Sequence, residues 1–255
     1  MNGKLRIALV VLFSAVLVFS GVQLARIGLA YKQADDIYAE SRAEYVETAS
    51  PAASDAPDAP DDGYPAFAID VAGLRKQNPD VIGWLYIPDT NVSYPLMRGG
   101  DNQKYLHESY DGRAAASGSI FMDFRNTGAL TDDNSVIYGH NMKNGSMFGG
   151  LKKYADTAYL TAHADVFVFL SDRVLRFRAF AGYKTEDTSE SYTLSFADGG
   201  TDFAGFLDYI KKSAGENVAD APAPPAPLLT LSTCTSTTAT GRFVVEAVYV
   251  GEKTL

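Results

Sequence analysis

The sequence predicts a mainly β domain, a barrel or sandwich with a few short helices, carried behind an apolar amino-terminal segment. Three observations support this. Short apolar, strand-like runs recur from about residue 81 to the end, only one later stretch has clear helical spacing, and an uncharged run stands alone near the start. No internal repeat is visible. A chain of 255 residues allows one ordinary domain plus appendages, or two small domains, and 46% hydrophobic residues allow a sizeable core. The net charge of −9 argues against nucleic-acid binding, which needs a basic surface.

Taken in order, "IALVVLFSAVLVFSGVQL", Ile7 to Leu24, reaches the lower end of a bilayer span, and snorkelling of Arg6 and Arg26 extends it. Lys4 and Arg6 precede it. Arg26 and Lys32 follow, soon diluted by Asp35, Asp36 and Glu40, so the basic excess favours an inside amino terminus only mildly. Gly28-Leu29-Ala30 has the small-x-small form of a cleavage site, but the apolar run is long for a signal peptide, and residues 1–30 read as a retained anchor. On either reading the rest of the chain lies outside the cytoplasm. Residues 31–65 read as a short juxtamembrane helix, with Tyr31, Ala34, Ile37, Ala39 and Tyr45 among charges, and then a Pro/Ala/Asp-rich spacer, Ala49 to Pro65. The main domain is expected over 66–255.

Within that domain Asp70 is placed to cap a short helix running through Asn78, which Pro79 ends. "VIGWLYIP", "VSYPLM", "SGSIFMDF" and "NSVIYGH" read as strands. "GSMFGGLKKY" sets Met147, Phe148 and Leu151 at helical spacing. "DVFVFL" and "VLRFRAFAGYKT" read as a hairpin turning near Ser171-Asp172. "TDFAGFLDYIKKSAG" is the clearest helix, with Phe203, Phe206, Leu207 and Ile210 on one face, Lys211-Lys212 in the last turn and Gly215 as its stop. A Pro-rich loop, "DAPAPPAP", leads to the strands "LLTLSTC" and "RFVVEAVYV".

The chemistry-bearing residues sit at the junction of those last two strands. Cys234 is the single cysteine, so no intramolecular disulfide framework exists, and a leftover thiol outside the cytoplasm is a candidate for reactivity. Two adjacent antiparallel strands joined by the loop after Cys234 would set it beside Arg242 at one rim of the sheet. Arginine is no general base, but it can hold substrate carbonyls and stabilise an oxyanion. The thiol needs a separate proton partner, most often histidine. Of three histidines, His140 ends an apolar strand and enters a loop of small residues, whereas His107 and His163 lie in polar surroundings. Singly, a cysteine reads as a small core residue and Arg242 as a solvated strand end. Their combination is what points to catalysis.

"TLSTC" followed by "RFVV", with "SVIYGHNM" upstream, resembles a sortase, the membrane-anchored cysteine transpeptidase of Gram-positive bacteria, over about Phe67 to Val250. "NPDVIGWLYIPDTNVSYPLM", "DNQKYLHESYDGRAAASGSIFMDFRN", "YGHNMKNGSMFGGLKKY" and the helix before the cysteine strand resemble class B in particular. The resemblance implies an eight-stranded β-barrel with peripheral short helices, preceded by a transmembrane helix and a flexible linker. It implies Cys234 as nucleophile, His140 as acid/base and Arg242 as transition-state and substrate clamp. It further implies substrate contacts at Asn102, Leu106, Tyr138 and Ser232, with Thr233 shaping the oxyanion site. The implied reaction cleaves an NPxTx- or LPxTG-like sorting motif of a secreted protein and passes the acyl group to an amine of a peptidoglycan precursor (lipid II). Surface-protein anchoring, of a haem-uptake protein or a pilin, would be the outcome, at the cell membrane with one span and an extracellular catalytic domain. No cofactor or metal is expected, since no acidic cluster suggests a calcium site. Thr235 stands where class B members often carry an acid, which bears on motif preference. The competing readings are a cell-wall cysteine peptidase of the NlpC/P60 or L,D-transpeptidase type, and a non-enzymatic tethered β-domain adhesin with an incidental Cys234.

Overall fold

The strand-like runs close on themselves. In the computed structural model, which describes residues 3–48, 62–196, 201–219, 226–235 and 238–255, the chain begins with one long helix, α1 (Gly3–Tyr45), then β1 (Val46–Thr48), β2 (Phe67–Ile69) and α2 (Val71–Gln77). There follow β3 (Val81–Tyr86), β4 (Ser93–Met97), β5 (Ile120–Met122), β6 (Asn134–Tyr138), α3 (Thr157–Ala162), β7 (Asp165–Phe169) and β8 (Arg173–Glu186). The chain ends with α4 (Thr201–Ala214), β9 (Leu228–Cys234) and β10 (Gly241–Thr254). Strands β3 to β10 form a closed barrel in the order β10-β8-β7-β3-β4-β5-β6-β9, and β1 pairs with β2 beside it. Six of the eight contacts around the barrel are antiparallel; β4 with β5 and β6 with β9 run parallel. This is the eight-stranded barrel with short peripheral helices that the family resemblance implied, one of the two architectures, barrel or sandwich, that the strand pattern left open.

The barrel is filled by side chains from the inward faces of its strands, among them Leu85, Val168, Phe177 and Phe243, while Phe169, on the opposite face from Leu85, stacks on Phe67 of β2; all but Phe67 are essentially inaccessible. Register shifts in the β10–β8 pair, at Glu246/Ala247 and Tyr249/Gly251, bend these two long strands around the core. A second apolar cluster lies outside the barrel. There α4 lays Phe203, Phe206, Leu207 and Ile210 against Phe180, Val244 and Val248. The four helix residues are the stripe read from the sequence.

Local signals explain most of the remaining elements. The Asp70 side chain accepts from Gly73 N and caps α2, which stops at Asn78 before Pro79. α4 gives way at Gly215, whose φ of 60° suits glycine. The stretch around Met147 and Phe148 departs from expectation: both side chains are buried, but Met147 forms an isolated bridge with Asn141, Phe148 lies in a turn, and only Leu151–Ala155 coils, as a 3₁₀ helix. Strands β1 and β2 and helix α3 carry too few residues to show a period, and sequence reading did not anticipate them. The Ala49–Pro65 spacer falls largely outside the described residues, as does most of the Pro-rich loop before β9.

The first half of α1 presents exposed apolar side chains, including Phe13, Leu17, Phe19 and Leu24. It is long and apolar enough to cross a membrane. The juxtamembrane stretch is helical too, but as the unbroken continuation of the same helix. Ala34, Ile37, Tyr38, Ser41 and Tyr45 recur at helical spacing and are buried against the barrel. Tyr38 meets Tyr94 edge-on, with centroids 5.1 Å apart, and its hydroxyl donates to the Gly118 carbonyl at 2.5 Å.

Candidate functional site

Cys234 is the last residue of β9 and its side chain is exposed. In the antiparallel β9–β10 register it stands directly opposite Arg242, as the strand–loop–strand argument required. His140 arrives from the other side. β6 runs parallel to β9 with Tyr138 opposite Ser232, so two further residues along each strand bring His140 and Cys234 out at the same end of neighbouring strands. That end is tied down. Gly139 N donates to Ser232 O at 3.1 Å, Thr233 Oγ1 donates to Gly139 O at 2.7 Å, and Asn141 Nδ2 donates to Cys234 O at 2.8 Å. Gly139 is needed here: a Cβ would come within 2.5 Å of Ile120 and 2.7 Å of Phe148.

Cys234, His140 and Arg242 line one open cleft of about 290 Å³, whose walls include all five of the other singled-out residues, Asn102, Leu106, Tyr138, Ser232 and Thr233. His140 Nε2 lies 2.8 Å from the Leu106 carbonyl oxygen. A carbonyl can only accept, so Nε2 carries the hydrogen and Nδ1 is the ring nitrogen left to exchange protons. The Arg242 guanidinium is held against the wall by Asp187 Oδ2 at 3.0 Å and by the carbonyls of Ala239 and Gly241 at 3.1 and 3.0 Å. An exposed thiol, an oriented imidazole and a fixed guanidinium are the parts that nucleophilic acyl transfer uses.

The neighbours divide by how they are engaged. Leu106 and Tyr138 are half-buried cleft wall. Ser232 Oγ shares a hydrogen bond of 2.7 Å with Tyr192 OH, whose ring stacks on Tyr138 at 6.2 Å. Thr233 spends its hydroxyl bracing β6 against β9. Asn102 is satisfied at both ends of its amide, donating to Asp123 Oδ2 at 3.0 Å and accepting from Phe124 N at 3.0 Å. Burial raises the Tyr138 phenol above its ordinary range, and the neighbouring Asp123 carboxylate adds to this.

Sequence reading missed Asp123, Arg125, Asp187 and Tyr192. Asp123 had a signal, an acid closing the apolar run "SIFMD", where a buried charge demands partners. Asp187 and Tyr192 come from the stretch after β8, where no element was expected, and only the folded chain brings them to the cleft. Of the other histidines, His163 caps the end of α3 and stacks on Tyr159 at 3.9 Å; neither it nor His107 lines the cleft. Among the described residues, no group of three or more His, Cys, Asp or Glu side chains is placed to hold a metal ion.

A closed mixed barrel with a thiol, an imidazole and a guanidinium on one rim defines the structural class. The sortase domain family matches residues 85–250, and the chain belongs to the sortase family. It is 38% identical over 161 residues to sortase B of Listeria monocytogenes and 30% identical over 161 residues to sortase B of Staphylococcus aureus, each match covering 63% of this chain. The matches span 65% and 66% of those two relatives, just under two thirds of their length. Among solved structures, sortase B of Bacillus anthracis in complex with AAEK1 superposes with a TM-score of 0.71 at 29% identity, covering 87% of this chain and 98% of that one. The Listeria monocytogenes sortase B structure gives a TM-score of 0.61 at 37% identity over 69% of this chain and 98% of that one. A Staphylococcus aureus sortase B–substrate complex gives 0.65 at 28% identity, with 71% and 84% covered.

Proposed function

We propose that this chain is a class B sortase-type cysteine transpeptidase, with Cys234 as nucleophile, His140 as acid/base and Arg242 as clamp. The observation that carries the reading is the convergence of these three side chains, from three strand ends, on one open cleft. The Cys234 thiolate attacks the threonine carbonyl of a sorting motif, and the C–N bond breaks as imidazolium Nδ1–H of His140 protonates the departing amine. The resulting thioester is opened by an amine of a peptidoglycan precursor, whose proton returns to His140 while the thiolate leaves. Arg242 offers N–H groups to the oxyanion formed in each half; losing one such donor typically costs on the order of 100-fold. Asn102, Leu106, Tyr138, Ser232 and Thr233 would border the peptide. The apolar half of α1 would hold the enzyme in the cell membrane with its barrel outside, so that secreted proteins and a lipid-linked acceptor reach it.

The test is cleavage of an internally quenched NPxTx or LPxTG peptide by the full chain. Cys234→Ala should abolish turnover and the trapped acyl-enzyme while leaving the melting temperature in place. An unchanged rate would remove the thiol from the mechanism and favour the tethered adhesin.

A further inference from the structure

We infer that Asp123 is a positioning residue that sets the His140 imidazole from two directions; its catalytic consequence rests on the transpeptidase reading, its geometry does not. Asp123 directly follows β5 and its carboxylate is fully buried, a costly location unless the charge is matched. Five donors match it. Oδ1 accepts from Arg125 N at 3.0 Å and Arg125 Nε at 2.9 Å. Oδ2 accepts from Arg125 NH2 at 2.8 Å, Tyr138 OH at 2.9 Å and Asn102 Nδ2 at 3.0 Å. Burial alone would push the carboxyl up; these donors outweigh it and hold the group down to about 2, so it stays ionised.

Two of the arms end at His140. Along the strand, Tyr138 lies two residues before the imidazole, and anchoring its phenol fixes where the end of β6 points. Along the loop, Asn102 ties the segment after Asp101 to Asp123, and Asp101 Oδ1 accepts from Gln103 N and Lys104 N at 2.8 and 2.9 Å to start a 3₁₀ turn. That turn finishes at Leu106, whose carbonyl accepts the Nε2 hydrogen of His140. A shift of about 1 Å in this carbonyl would break a 2.8 Å hydrogen bond and release the ring and its tautomer. Asn102, engaged at both ends of its amide, therefore acts on the site through the loop. Neither arm touches the thiol.

The experiment uses the full chain in detergent micelles, with Asp123→Ala and Asn102→Ala. Three readouts are taken: ring ¹⁵N–¹H correlations, which three histidines keep resolvable, the pH profile of Cys234 alkylation by iodoacetamide without peptide, and kcat and KM on a sorting peptide. Wild type should show His140 as the Nε2–H tautomer. Both variants should lose that signature and displace the alkylation profile, with kcat down on the order of 10- to 100-fold, and in Asp123→Ala KM should stay within about twofold. Persistence of the Nε2–H signature with an unmoved alkylation profile in Asn102→Ala would overturn the assignment, whatever happens to kcat. Should Asp123→Ala fail to fold, Asn102→Ala decides, because it leaves the carboxylate four of its donors. If wild-type protein cleaves no sorting peptide, the transpeptidase reading falls, while the ring and alkylation measurements still decide the role of Asp123.

Discussion

Glu246 shows how a hydrogen-bond inventory fixes a protonation state. It lies on β10, fully buried, with Tyr183 OH donating to Oε1 at 2.8 Å and Thr230 Oγ1 at 2.7 Å from Oε2. Asn134 donates through Nδ2 to the carbonyls of Ser191 and Thr193, which turns its Oδ1 toward Thr230 Oγ1 at 2.9 Å. Thr230 has one hydroxyl hydrogen facing two acceptors, Asn134 Oδ1 and Glu246 Oε2, and a neutral Glu246 removes that shortage by supplying a second hydrogen. Burial supports the same state, raising the carboxyl to about 7 against the opposing hydrogen bonds. Because the folded value lies above the unfolded one, the stabilisation is complete below the unfolded value and is lost as pH rises through about 7. The amount at stake is on the order of 3 kcal/mol. Glu246→Gln keeps the neutral geometry, its amide donating to Thr230 and its carbonyl accepting from Tyr183. Thermal melts from pH 5 to 9 should therefore fall through neutrality for wild type and stay nearly flat for the variant. Parallel curves would mean Glu246 is already ionised.

Among elements, β6 carries the sharpest constraint, since its end must pass between Ile120 and Phe148 to deliver His140. Gly139→Ala forces a methyl into that gap, and overpacking of this kind costs about 1–3 kcal/mol. A lower melting temperature together with a fall in peptide cleavage is expected; a silent variant would show that Phe148 yields freely. The eight barrel strands were legible from the sequence through their apolar runs, with the turn at Ser171-Asp172, and Gly215 marked the end of α4; how most of the strands pair around the barrel was not. The meeting of Cys234 with Arg242 was legible, a consequence of antiparallel pairing. The helix expected around Met147–Leu151 fails because Gly149 and Gly150 interrupt it, leaving a 3₁₀ turn. α3 has six residues, and its signal was the Asp156 side chain accepting from Tyr159 N, easily passed over in a polar stretch. The commitments of Asn102 and Asp187 were not legible, because their partners arrive from distant segments.

For the whole molecule, α1 joins what the sequence divides. Composition separates an apolar run from a charged one, but a helix ignores that change when both halves find a place for their surfaces. Tyr38 also reaches the site indirectly: it bonds to Gly118, where a Cβ would fall 2.7 Å from the Leu106 carbonyl oxygen that holds His140. A chain starting at residue 66 loses this buttress and uncovers the barrel face beneath Ile37, Tyr38 and Tyr45. It should melt about 5 to 10 °C below a chain starting at residue 31 and cleave peptide more slowly. Equal melting and equal rates would show that the docked half of α1 contributes nothing.

An unbroken helix also transmits angle. Each residue adds about 1.5 Å of height and turns what it carries by about 100°. Were its apolar half in a bilayer, as proposed, α1 would be a mast, and the mouth of the cleft would have a set altitude and compass bearing over the lipid plane. One extra alanine in the turn before Ala34 would swing that mouth away from wherever it now faces without altering an atom inside it.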